Sequence, residues 1–582
     1  MSEMAGGEGQ AKPEMSAGGA HQQMGHGHGE VTPGAAVGRY LVAPRPPHLR
    51  SSSVRPIEPP ALFTLLDEDP DVNVIDHVWP NRSRGLGAIA EPNPACPPVA
   101  VVRMPHERAA VLAANPQVLV ESDQPLTFNT PSPITPAVAG TDPALAVPLT
   151  EAATFTVRVT GRDGAGVPGV HVWAAGAGWP AHAVTAAEGR ATLVLPTGTP
   201  SEINTLHVRA PGGYWAARID NPGLPEDGKE ALIRLKPLSE TFEGFPERAI
   251  YGWGQQIMRL HELPPTYRGH GVTVALLDSG VATAHPDLKT AVGTGFDFVA
   301  NSSEGWDNDT TGHGTACAGI IAAADNRTGI TGIAAEATLH ALKLYPGGRI
   351  SNLLQALDWC ITHDVDIAQI NLICARPSAL LALKIVDSRA AGIVCVAPAG
   401  DDGTTVAFPA RLPGILAVGA LGHTGTYPPT APSAAYAPGH PTATNLYAPP
   451  FTPLGPGVDL SGPGVAVITT APGDTYTPYD GTAIAASHIT GLAALTLAHH
   501  DALRIQPQPR SAARVDHVHA MLRASCRPVP GIDPTRIGTG LPDAPAALGL
   551  QPTVPTFQSS SSVEALLATL RAEMQRSGLV QR

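Results

Sequence analysis

The chain has 582 residues, room for roughly three to four domains, and its 43% apolar and 15% charged content is that of a globular protein. Fifty acidic against 37 basic residues leave a net charge of −13, which argues against nucleic acid as a partner. No stretch reaches 18 consecutive apolar residues, which argues against a membrane span.

Residues 1–38 are rich in Gly, Ala, Met, His and Glu without periodicity and read as a disordered tail. The tail lacks the apolar run of a usual secretory leader. His21, His26 and His28 could bind a metal, although loose histidines in such a tail usually bind nothing specific. Six cysteines (Cys96, Cys317, Cys360, Cys374, Cys395, Cys526) are too sparse for a disulfide scaffold. Together these features lead us to expect a reducing, cytoplasmic location.

From Arg39 to Phe128 the pattern reads strand, helix, strand, strand, helix, strand. The pieces are Arg39–Ala43, Pro59–Glu68, Val72–Val78, Val99–Met104, His106–Ala114 and Val118–Ser122. That order is the split βαβ arrangement of a ferredoxin-like α+β domain. Residues 129–150 are rich in Pro, Thr and Ala and read as a linker. Short alternating strands follow within 151–237, at Thr154–Thr160, Val170–Ala175, Ala191–Leu195, Leu206–Ala210 and Tyr214–Ile219. Their spacing predicts a small β-sandwich, which resembles transthyretin-like or immunoglobulin-like modules.

Across 238–550 strands alternate with helices, the signature of an α/β domain with a parallel sheet covered on both faces. Beyond a polar linker, Val563, Leu566, Leu567, Leu570 and Met574 share one face of a C-terminal amphipathic helix within 551–582.

The α/β region carries the chemistry. A strand ending in Asp278-Ser279-Gly280 is followed by His285-Pro286-Asp287-Leu288. Then comes Gly312-His313-Gly314-Thr315-Ala316-Cys317-Ala318-Gly319, which places a histidine at the start of an apolar helix. Residues 479–491 read Y-D-G-T-A-I-A-A-S-H-I-T-G. Together these blocks resemble the subtilisin-like (subtilase) serine proteases, whose last motif is G-T-S-M-A-x-P-H. The segments Gly329–Ala334, Phe408-Pro409-Ala410, Ser461–Gly464 and Gly538–Leu548 extend the resemblance. It implies a subtilisin-like parallel sheet and an Asp-His-Ser triad in that chain order. The stretch V-V-R-M-P-H-E-R-A-A-V-L within 39–128 similarly looks like the prodomain that precedes many subtilases.

By that resemblance Asp278 orients His313, His313 acts as general base, and the nucleophile belongs at residue 483. That residue is Ala483, which has no hydroxyl to deprotonate. Thr482 and Ser487 are nearby hydroxyls but out of register. Asp401 stands where the family usually has the oxyanion-binding asparagine. Gly348, Ile373, Cys374 and Ala375 are the expected substrate-binding positions, since main-chain pairing with an extended peptide tolerates changed side chains. No cofactor is required. Asp287 and Asn326 match positions that ligate calcium in some subtilases. An insertion over Gly422–Gly455 either overhangs the cleft or forms a loose surface loop.

The expected partners are a peptide or protein substrate and the chain's own N-terminal region, whose end near Val120–Phe128 could mimic a substrate strand. Besides a purely structural or assembly role seated in residues 39–237, which has little positive support, two functions stay open. One is a serine endopeptidase inactivated by alanine in place of its nucleophilic serine. The other is a natural pseudoprotease that binds peptides without cutting them.

Overall fold

A computed structural model describes residues 36–51, 53–80, 95–128, 153–176, 180–195, 199–225, 229–439, 442–505 and 509–550. The expected tail with its histidines, the 129–150 linker and the C-terminal helix lie outside the described residues.

The N-terminal region runs β1 (Val37–Pro44), α1 (Pro59–Asp67), β2 (Asn73–Val78), β3 (Val99–Pro105), α2 (His106–Ala113) and β4 (Val118–Ser122). Its four strands form one antiparallel sheet in the order β2-β3-β1-β4. Alternation gives the sheet two apolar faces. Val42, Ala100, Val102 and Met104 pack under α1 and α2, while Leu41, Ala43, Val99 and Val101 face the rest of the protein. Burying each such aliphatic side chain contributes about 1.5–3 kcal/mol.

Two small sheets follow and enclose one apolar cluster. The first, ordered β10-β9-β6-β7, is built from β6 (His171–Gly176), β7 (Ala181–Val184), β9 (Ile203–Arg209) and β10 (Ala217–Asp220). The second, ordered β11-β5-β8, contains β5 (Ala153–Thr160), β8 (Arg190–Leu195) and β11 (Ala231–Arg234). The strand expected at Tyr214–Ile219 begins instead at Ala217, because Trp215 turns away to be buried with Leu238 and Phe245. Main-chain bonds from Gly213 to Tyr476 and from Arg218 to Thr430, each 2.8 Å, fasten this unit to the domain that follows.

That domain opens with α3 (Trp253–Ile257), then β12 (Thr273–Asp278), β13 (Val292–Asp297), α4 (His313–Ala322), β14 (Thr338–Lys343) and α5 (Ile350–Thr362). It continues with β15 (Ile367–Ile370), α6 (Ala379–Ala390), β16 (Val394–Pro398), β17 (Ile415–His423), β18 (Leu446–Tyr447) and β19 (Leu460–Pro463). The hairpin β20 (Val467–Ala471) and β21 (Thr475–Tyr479) leads into α7 (Thr482–His499). The sheet runs β13-β14-β12-β15-β16-β17-β18, with β19 also on β17. All these pairings are parallel except β18 on β17. Every residue of β12 from Val274 to Asp278 is buried, as expected of a central parallel strand covered on both faces. Helix α4 is buried along its whole length and α7 over Thr482–Thr496, so both are apolar on every side.

The N-terminal sheet docks on α5 and α6, and two carboxylates fix its position. Glu121 accepts from Ser378 Oγ at 2.6 Å and from the Ala379 amide at 2.7 Å, at the start of α6. Asp123 accepts from the Ser351 amide at 2.9 Å, at the start of α5. Each satisfies amides that lack an intrahelical partner and meets the positive end of a helix dipole. Replacing Glu121 by alanine should weaken this docking by about 1–2 kcal/mol. Amide exchange at Ala379 and Leu380 should accelerate while that of Val274–Leu277 stays unchanged; unaltered exchange at Ala379 would remove Glu121 from this role.

Candidate active site

The parallel strand β12 delivers Asp278 to the carboxyl edge of the sheet, where open α/β folds place their sites. Its carboxylate is fully buried. It accepts from the Ser279 amide at 2.7 Å, from Asn371 Nδ2 at 2.5 Å and from His313 Nδ1, which lies 2.9 Å from both carboxylate oxygens. With Nδ1–H donated to Asp278, His313 keeps the lone pair on Nε2 free for a substrate proton. Burial by itself would lower the pKa of His313, but the charge and hydrogen bond of Asp278 more than offset this and raise it.

The loop before α4 has its own organiser. Asp309, also buried, accepts from the amides of Thr311, Gly312 and Thr315 at 3.1, 2.9 and 2.9 Å. The Ser279 hydroxyl lies 2.9 Å from Asp309 and 3.0 Å from Asp278 and accepts from the Gly314 amide. Gly314 has to be glycine. A Cβ there would sit 2.0 Å from the Gly280 carbonyl oxygen and 3.2 Å from Asp278, forcing α4 away from β12.

Helix α7 brings Ala483, 3% exposed, into the same neighbourhood. Gln369 Nε2 donates to Asn371 Oδ1 and to Ser487 Oγ, both at 2.9 Å, with the Ala483 carbonyl 3.3 Å away, so one buried polar chain ties the start of α7 to Asp278. The neighbouring hydroxyls are engaged elsewhere. Ser487 donates to the Ala483 carbonyl at 2.9 Å, and Thr482 Oγ1 accepts from the Gly400 amide at 3.2 Å. Beneath the site Cys317 is a neutral thiol, because burial raises its pKa well above the usual range.

Asp401 is buried and accepts from the Thr482 amide at 2.7 Å. Burial pushes its carboxyl up to about 7, although the Thr482 hydrogen bonds and the charge of His313 pull the other way. The insertion reaches the strand end before α7, where Ser433 Oγ lies 2.9 and 3.0 Å from the oxygens of Asp480, and is held internally by Tyr436 meeting Phe451 edge-on. Burial raises Asp480 to about 6.

A segment of the N-terminal region lies beside the dyad. Ile350 N donates to the Gln124 carbonyl at 3.1 Å, and Leu126 N to the Gly348 carbonyl at 2.8 Å. Thr127 pairs with Ile373 in both directions, at 3.1 and 2.9 Å. Phe128 then stacks on the His313 ring with centroids 4.4 Å apart, and lies equally close to Tyr345. Leu126 is 2% exposed.

Of the substrate-binding positions expected from the sequence, Gly348 and Ile373 therefore touch an extended strand. Cys374 does not. Its amide donates to the Phe408 carbonyl at 2.9 Å and its side chain is buried, because successive residues face opposite ways. Ala375 is exposed, and its neighbour Arg376 bonds Gln124, at 2.8 and 3.1 Å.

Asp287 and Asn326 come together, but through a hydrogen bond of 2.9 Å to each other. The other oxygen of Asp287 accepts from the Ile330 amide at 3.0 Å and from Tyr476 at 2.9 Å. Two side chains with their oxygens already engaged do not fit a calcium ion, which takes six to eight oxygen ligands.

The description "Subtilase family" fits residues 269–524. Subtilisin NAT of Bacillus subtilis subsp. natto is 32% identical over 296 residues, spanning 49% of this chain and 70% of that protein. Subtilisin of Bacillus pumilus is 35% identical over 244 residues, 40% of this chain and 79% of its own length. Subtilisin DY of Bacillus licheniformis is 33% identical over 247 residues, or 41% and 80%. The chain belongs to the subtilase family of serine proteases.

The raised carboxyl of Asp401 has a pH signature. A folded pKa of about 7 against an ordinary 3.8 means that the folded protein holds a proton which the unfolded chain releases. Ionising Asp401 therefore costs stability as pH rises from about 4 to 7. Asp401→Asn should raise the thermal midpoint above pH 7, by an amount equivalent to at most about 4 kcal/mol. The gain should vanish below about pH 4, and a gain independent of pH would contradict the assignment.

Proposed function

We propose that the chain is a subtilisin-like serine endopeptidase scaffold stopped at residue 483, with its own residues 124–128 held in the peptide-binding cleft. The observation that carries this reading is the strand pairing of Thr127 with Ile373, which ends in Phe128 stacked on His313. An extended peptide there runs toward an imidazole whose second nitrogen is bonded to a buried carboxylate.

With serine at residue 483, Nε2 of His313 would take the hydroxyl proton as the oxygen attacks the peptide carbonyl. It would later return that proton to the leaving amine. Asp278 stabilises the imidazolium in between. The amide of residue 483, among the first of α7, lacks an intrahelical acceptor and is a donor for the oxyanion. Asp401 can add a second donor only while its carboxyl is protonated. The methyl of Ala483 offers no proton and forms no acyl-enzyme; in subtilisin, losing the serine costs about a million-fold in turnover.

In this reading residues 39–128 are a ferredoxin-like, prodomain-like unit that blocks the cleft by β-strand addition. The two small sheets of 151–237 act as a sandwich spacer. The substrate is a peptide or protein threaded as an extended strand. A second reading, a natural peptide-binding pseudoprotease, draws on Asp401: its carboxylate faces the Thr482 amide at 2.7 Å, and when ionised it repels an oxyanion.

Ala483→Ser decides between them. The serine variant should be labelled by a fluorophosphonate at residue 483 and should cut its own chain between residues 128 and 153. Its kcat/KM should fall as pH rises through about 7, where Asp401 loses its proton, and Asp401→Asn should remove that alkaline loss. A folded serine variant that stays unlabelled, alone and with Asp401→Asn, would leave only the binding function.

A further inference from the structure

On the face of the N-terminal sheet that packs against α5 and α6, the apolar ladder ends in a pair of arginines. Leu41 stands opposite Val101 on that face, both fully buried. With a side-chain period of two, the next pair on the same face is Arg39 opposite Arg103. Like charges directly opposite each other across a ladder are destabilising. A third guanidinium comes from the other domain, where Arg349 precedes α5 and joins Arg39, Arg103, Val37 and Gly38 around a pocket of about 360 Å³.

The acid beside this trio is already committed. Asp123 accepts from Arg39 Nε at 2.7 Å and Ser351 Oγ at 2.8 Å through one oxygen, and from the Ser351 amide at 2.9 Å through the other. Arg349 Nη1 donates to the Asp123 main-chain carbonyl at 2.7 Å. Among the described residues no acid pairs with Arg103 or Arg349, so three cations share one carboxylate. The excess of two positive charges lies where the N-terminal domain meets the protease domain.

We propose that Arg39, Arg103 and Arg349 form a binding site for a small oxyanion of the phosphate class, which bridges the two domains and strengthens their docking. Guanidinium groups present planar donor forks that match phosphate oxygens. A tetrahedral dianion meets donors arriving from three directions and neutralises the excess, whereas a single carboxylate leaves one charge unbalanced. The anion also removes the repulsion across the Arg39–Arg103 pair. Because residues 123–128 run directly from this site into the cleft, its occupancy is coupled to how firmly the cleft segment is held.

The test uses the full chain with Ala483 in place, so it does not depend on catalysis. Inorganic phosphate and pyrophosphate are titrated calorimetrically at neutral pH, with sodium chloride at matched ionic strength as the control. Saturable binding is expected with phosphate and pyrophosphate but not with chloride, together with slower amide exchange at Leu126, Thr127 and Ile350. Arg103→Ala, at an exposed position with no packing role, should weaken binding by about tenfold or more. Arg103→Glu should abolish binding and, by supplying the missing carboxylate, slow exchange at the same amides with no anion added. Three results would each overturn the proposal: no saturable binding through millimolar concentrations, an equal response to chloride, or affinity unchanged in Arg103→Ala.

Discussion

A carboxylate removed from water must find its hydrogen bonds inside the protein, and Asp278 imposes that demand on the carboxyl edge of the sheet. Four groups answer it: the Ser279 amide and hydroxyl, Asn371 and His313. They come from three different constraints. The turn after β12 supplies Ser279, the end of the neighbouring parallel strand supplies Asn371, and α4 can bring His313 close only because Gly314 has no side chain. Asp309 then holds the loop from which α4 springs. The result is an imidazole whose orientation is fixed by the fold itself.

Around that fixed pair the rest of the chain is arranged to present or to cover the cleft. The N-terminal sheet buries an apolar face on α5 and α6 and positions itself with Glu121 and Asp123 at the two helix starts. Those same residues lead straight into the strand that pairs with Ile373. Docking of the sheet and pairing of residues 124–127 with Gly348, Ile350 and Ile373 are thus one mechanical unit. The two small sheets and the insertion close the opposite flank, through Gly213 on Tyr476, Arg218 on Thr430 and Ser433 on Asp480.

Much of the site was legible because its signals are local. A buried strand ending in an acid, a histidine between glycines at a helix start, and a glycine-threonine turn before an apolar helix each declare themselves within ten residues. Gln369 was not read as part of the site, and Asn371, at the start of the substrate-strand segment, was not read as a partner of Asp278. Two amides in an otherwise apolar stretch gain meaning only once Asp278 and Ala483 lie beside them. Cys374 was expected on the substrate strand through its main chain, and in the fold its amide donates to Phe408 while its side chain enters the core. The calcium expectation rested on two oxygen-bearing residues whose lone pairs are engaged in the fold, those of Asp287 by Asn326, Ile330 and Tyr476 and those of Asn326 by Thr328. The arginine trio was invisible for a plainer reason: Arg39 and Arg349 are 310 residues apart in sequence.

The account stands on Asp278 holding the charge state of His313 against the burial that would otherwise keep the ring neutral. A nitrogen-15 NMR titration of the His313 imidazole, in this chain and in Asp278→Asn, measures that balance directly. The expected pKa is above the ordinary 6.5 in the chain itself and lower once the carboxylate is gone, when desolvation is opposed only by the smaller effects of Asp309 and Asp401. A value at or below 6.5 that Asp278→Asn leaves unmoved would contradict the account.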